Sequence, residues 1–139
     1  MTAGSGSGAA KLGDSSGGAN VQLSKLNGLE VAKQLTMLEF EIYHSIVPSE
    51  FTNQGWMKGT KEEKETNAPN VIQLIDRFNQ VSNWVATTII FEDDLETRRD
   101  MLVYFIHLAN KCRELHNFNA MMEGLTPFLR KKKKPNGNI

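Results

Sequence analysis

At 139 residues, with 16 lysines and arginines against 16 aspartates and glutamates, the chain has room for one modest domain, and its charge balance gives no global reason to expect specific nucleic-acid binding or an acidic substrate. The single cysteine, Cys112, excludes an intrachain disulfide and suits a reducing compartment. No run reaches the roughly 18 apolar residues of a membrane span, and the front end lacks the charged and apolar regions of a secretory signal, so a cytoplasmic protein is expected.

Residues 1–26 are dominated by Gly, Ala and Ser and hold too little apolar surface to offset the entropy of ordering, which predicts a disordered leader. The glycines from Gly4 to Gly8 are not followed by Gly-Lys-Ser/Thr, so they make a linker and not a phosphate cradle. From Leu29 the apolar residues Val31, Leu35, Leu38, Ile42 and Ile46 recur every three or four positions, flanked by Ala32, Phe40 and Tyr43. The spacing predicts an amphipathic helix, opened by a cap at Asn27-Gly28 or at Ser24 and closed by Pro48. Pro48 to Phe51 reads as a short helical turn, with Trp56 and Met57 as apolar anchors behind it. Lys58 to Asn67 is a mixed-charge stretch expected to be a solvated loop.

The segment Asn70–Ile90 is the expected centre of the fold. Val71, Ile75, Phe78, Ser82, Val85 and Ile89 form one stripe, widened by Leu74, Val81, Trp84 and Thr88, and Pro69 suits the first helical position. An arc that broad needs neighbours on more than one side. Asp93 and Glu96 fit a capping box for the next helix, which runs through Leu102, Phe105, Ile106, Ala109, Cys112 and Arg113, with Val103, Tyr104 and Leu108 widening its buried arc. Asn117 caps a further helix that Gly124 and Pro127 are expected to cut short. The run Arg130, Lys131, Lys132, Lys133, Lys134 beside Pro135 predicts a disordered basic tail, able to meet an anionic membrane surface.

Conventional catalysis needs a nucleophile with its base, a metal shell or a cofactor cradle. His44, His107 and His116 lack metal-ligand spacing, Cys112 repeats the helical apolar period, and no cofactor motif is present. Binding is therefore favoured over bond-making chemistry, with no cofactor and no metal expected, and the Met121-Met122 pair offers adaptable surface for core or recognition.

Six blocks in order carry a resemblance: Glu30 to Glu39, Phe40 to Tyr43, Gln54 to Lys58, Ala68 to Asn70, Arg77 to Val85, and Leu115 to Ala120. Together they resemble the front part of the catalytic domain of Ras-type guanine-nucleotide exchange factors, the son-of-sevenless-like and Cdc-twenty-five-like group. The resemblance implies an all-α, irregular helical bundle over residues 27–125, between the leader and a basic tail over 126–139. It implies a Ras-family small GTPase as partner and release of its GDP as function, with Ile75, Asp76, Asn79 and Met122 placed to contact the switch II segment. Ile75 also lies in the apolar stripe, so burial is its competing role, and an acid at Asp76 departs from the family pattern. After Glu123 the sequence is expected to leave the family pattern, with no counterpart expected for the protruding helical hairpin. Weak or absent exchange by the chain alone is the expectation, with a non-catalytic module that binds a GTPase or partner chain through exposed helical faces as the alternative.

Overall fold

The computed structural model describes residues 23–129; most of the Gly/Ser-rich leader and the basic run Arg130 to Lys134 lie outside the described residues. Five α-helices follow in order: α1 Gly28–His44, α2 Lys61–Asn67, α3 Pro69–Ile90, α4 Leu95–Glu114 and α5 Phe118–Leu129, with a 3-10 turn over Pro48–Gln54. No strand occurs among the described residues. The expected all-α architecture is what forms, with α3 and α4 both packed on α5 and α1 laid across α3 and α4.

Local chemistry explains most of the boundaries. Asn27 caps α1, its Oδ1 accepting from Leu29 N–H at 2.9 Å and from Glu30 N–H at 3.4 Å. The chain between α1 and α3 departs from expectation, because residues 61–67 form a helix and not a loop. Thr60 and Glu63 make a reciprocal capping box: Glu63 N–H donates to Thr60 Oγ1 at 3.3 Å and Thr60 N–H to Glu63 Oε2 at 2.7 Å. That box, hidden in a charged run without apolar period, was the available signal. Of the two anchors, Trp56 is partly buried edge-on to Phe51, with ring centroids 5.7 Å apart, whereas Met57 is exposed.

At the start of α4 the cap is Asp94, not Asp93: its Oδ2 accepts from both the N–H and the hydroxyl of Thr97 at 2.8 Å. The α4–α5 corner closes on His116, held at φ 59 in the left-handed region, while Asn117 N–H reaches back to Cys112 C=O at 2.9 Å.

The core is assembled from Ala32 on α1, Val81 and Val85 on α3, Met101, Tyr104, Phe105, Leu108 and Cys112 on α4, and Ala120 on α5. Phe105, fully buried, takes the edge of Trp84 at 5.3 Å and of Tyr104 at 5.8 Å. Burying a ring of that size contributes about 2–3 kcal/mol. The apolar stripes are rotated from their sequence reading. On α1 the residues turned fully inward are Ala32 and Glu39, leaving Leu38, Phe40 and Tyr43 exposed. On α3, Val71, Val81, Ser82, Val85 and Thr88 go in while Ile75 and Trp84 stay at the surface. On α4, Val103 and Ile106 are likewise exposed.

Helix α5 does not stop at Gly124 or Pro127; it continues to Leu129 with Pro127 inside it. Proline has no N–H for the carbonyl four residues back, which here is that of Glu123. The Ser82 hydroxyl donates to this carbonyl instead, at 3.0 Å and out of water, so α3 supplies the bond the proline withholds. This accounts for a serine in the middle of an apolar stripe. Ser82→Ala should leave the carbonyl unsatisfied and lower stability by about 1–2 kcal/mol, read as the shift in urea midpoint.

Candidate partner-binding face and the buried carboxyl pair

The four residues expected to meet a partner all reach the surface. Ile75 is 41% exposed and Met122 39%, and Asp76 and Asn79 are exposed. Ile75 and Asn79 stand one turn apart on α3 and share a face. Met122 is carried by α5, which packs directly on α3. Asp76 points elsewhere, into a depression it lines with Ile42, Glu65 and Gln80. The competing core role of Ile75 is therefore not the one the fold uses.

Two devices hold α3 and α5 in place. Ala68, before α3, has no capping side chain; the cap comes from Glu50 in the 3-10 turn. Its Oε2 accepts from the N–H groups of Asn70 at 2.8 Å and Val71 at 3.0 Å, and its Oε1 from Asn70 Nδ2 at 2.7 Å and Val47 N–H at 3.2 Å. Glu50 is only 2% exposed. Burial by itself would raise its pKa, but the hydrogen bonds from the Asn70 side chain and from Val71, Val47 and Asn70 N–H hold it below the ordinary carboxylate value. The second device is Asn117, whose Oδ1 accepts from Ala120 N–H at 3.0 Å and caps α5, while its Nδ2 donates to Thr36 Oγ1 on α1 at 3.1 Å.

Beneath this frame lies a feature that sequence reasoning missed. Glu39 of α1 and Glu123 of α5 are both buried, and among the described residues the positive charge acting on Glu123 is that of Arg77 of α3. Asn119 Nδ2 donates to Glu123 Oε1 at 3.0 Å, whereas Glu39 Oε1 and Glu123 Oε2 have no donor among the described residues. Glu123 has the Glu39 side chain as a hydrogen-bond partner. Burial first, then the charge and hydrogen bond of Glu39, push the Glu123 carboxyl up to about 8, against the opposing pull of Arg77 and Asn119. Burial and the same two glutamates raise the Cys112 thiol to about 11, so it is an inert core residue, as its helical spacing suggested. The signal for Glu39 was its place seven residues after Ala32, on the buried line of α1; for Glu123 it was adjacency to Gly124, which packs on Ala109.

Among the described residues no group of three or more His, Cys, Asp or Glu is placed to hold a metal ion, and no helix is long and apolar enough to cross a membrane. What the fold offers is an exposed helical face held by buried polar fasteners, the make-up of an all-helical recognition domain. The chain belongs to the RasGEF domain family, which it matches over residues 30–129. It is 43% identical over 111 residues to Ras guanine nucleotide exchange factor E and 43% identical over 103 residues to Ras guanine nucleotide exchange factor A, both of Dictyostelium discoideum. It is 40% identical over 95 residues to Ras-specific guanine nucleotide-releasing factor 1 of Mus musculus. These matches take in 80%, 74% and 68% of this chain but only 10%, 16% and 7% of the relatives, so the chain spans a small part of their length.

Proposed function

We propose that the chain serves as a guanine-nucleotide exchange module for a Ras-family small GTPase, contacting its switch II segment through Ile75, Asn79 and Met122, with Asp76 at the margin. The observation that carries this reading is the RasGEF match from residue 30 to 129, and the surface position of all four residues supports it. Exchange of this kind is differential binding: a module that holds the nucleotide-free GTPase more tightly than the GDP-loaded one lowers the barrier to GDP release. The side chains needed are those of a binding surface, with no bond made or broken.

The test is retention of a panel of Ras-family GTPases on the immobilised chain. Nucleotide-free GTPase should be held at least tenfold more tightly than the GDP-loaded form, a gap of about 1.4 kcal/mol or more. Ile75→Asp should weaken retention by a further tenfold or more without changing the urea midpoint, because the side chain lies at the surface. Equal retention of both nucleotide states would leave the non-catalytic interaction module as the better reading. Release of a fluorescent GDP no faster than in buffer would remove exchange by the chain alone. We assign the protein to the cytoplasm, where the reduced Cys112 is at home, with the run Arg130 to Lys134 drawn to an anionic membrane face.

A further inference from the structure

The α4–α5 corner, α1 and the first half of α3 enclose a groove of about 570 Å³. Its rim is aromatic: Phe40, Tyr43 and Phe118 are 60%, 66% and 57% exposed, and His116 stands beside Phe118. Its lining also includes Glu39, which is only 5% exposed and keeps one carboxylate oxygen without a donor. Glu123 adjoins Glu39 with a second oxygen that lacks a donor among the described residues, and the Arg77 guanidinium acts on Glu123.

We propose that this groove is a docking site for an arginine side chain presented by a partner protein segment, with the guanidinium on Glu39 and its flanking apolar residues against Phe40, Tyr43 and Phe118. The chemistry points to arginine for three reasons. An apolar ligand would bring no donor to Glu39, a carboxyl that lines the groove. An anion would meet two carboxyls in a site already short of positive charge. A planar guanidinium both stacks on aromatic faces and offers a fork of donors to a carboxylate, where a lysine ammonium is a more strongly hydrated point charge. Docking also has a proton consequence. Glu123 holds its proton in the free protein, and an arriving guanidinium on the adjoining Glu39 adds the positive charge that favours its loss, so binding at neutral pH should release it. The inference uses none of the four residues placed against switch II, although the groove adjoins them through Leu74 and Asn119, and it calls on a different ligand chemistry.

The experiment uses the full chain and a pair of nine-residue peptides, each with one central arginine or its neutral analogue citrulline between leucines. Amide NMR shifts at Tyr43 and from Leu115 to Asn119 should report the arginine peptide binding at least tenfold more tightly than the citrulline one. Calorimetry at pH 7 in two buffers of different ionisation enthalpy should show close to one proton released for the arginine peptide and none for citrulline. Glu39→Gln should bring the two peptides to equal affinity. Equal binding of both peptides to the unaltered protein, shifts confined to another surface, or full arginine affinity in Glu39→Gln would each overturn the proposal. The comparison on the unaltered protein decides the matter even if that variant misfolds.

Discussion

Replacing Glu50 with alanine is expected to lower the stability of the domain by about 3–4 kcal/mol, read from the urea midpoint by circular dichroism. The figure follows from what Glu50 does. One buried carboxylate accepts four hydrogen bonds, two of them from the first-turn N–H groups of α3. Each bond to a charged group contributes about 1.5–3 kcal/mol and a lost helix cap about 1 kcal/mol, and the terms overlap because the cap is made by two of the same four bonds. Against a total of about 5–15 kcal/mol for a domain of this size, that loss is large. Glu50→Gln keeps one oxygen acceptor and the shape, so a loss of about 1–2 kcal/mol is expected from it. A result below about 0.5 kcal/mol for the alanine variant would mean that the 3-10 turn is not what holds the start of α3. The effect also has a pH signature. The folded pKa of Glu50 lies below its ordinary value, so its contribution is present above that value and disappears as acid protonates the carboxyl.

The pair Glu39–Glu123 should give the opposite trend over a different range. An unfolded glutamate titrates near 4.5, whereas Glu123 in the fold holds its proton to about 8. Between those values the folded state binds more protons than the unfolded one, so stability falls as pH rises, by about 1.4 kcal/mol per pH unit at the steepest for a single proton. The groups facing it are Glu39 from α1, Arg77 from α3, Cys112 from α4 and Asn119 on α5 itself; the two that oppose the rise, Arg77 and Asn119, soften the slope without reversing it. Urea midpoints measured from pH 5 to pH 8 should therefore fall steadily. In Glu123→Gln they should stay level, because the amide can give Glu39 the hydrogen the proton supplied. A wild-type profile that rises or stays flat over that range would show that Glu123 does not keep its proton in the fold.

Much of this was written in the chain itself. The 22-residue α3 opens at Pro69 as its sequence requires, because a proline fixes the first-turn geometry and the apolar period supplies the length. Asn27 and Asn117 cap where short polar side chains before an apolar run are able to. The small, charged α2 escaped notice because its cap is local and its surface carries no apolar period to count. What the sequence could not say is how far each stripe rotates. Ile75, Leu38 and Ile106 fit their helical patterns as well as their buried neighbours do, and only the directions from which the other helices arrive decide which side of a broad apolar arc is covered. The same holds for the polar residues that matter most. Glu50, Ser82, Glu39 and Glu123 are ordinary letters in the chain. They became a remote helix cap, a substitute donor for a proline and a buried carboxyl pair because the tertiary structure closed water off around them, and a polar group without water must find its partner inside.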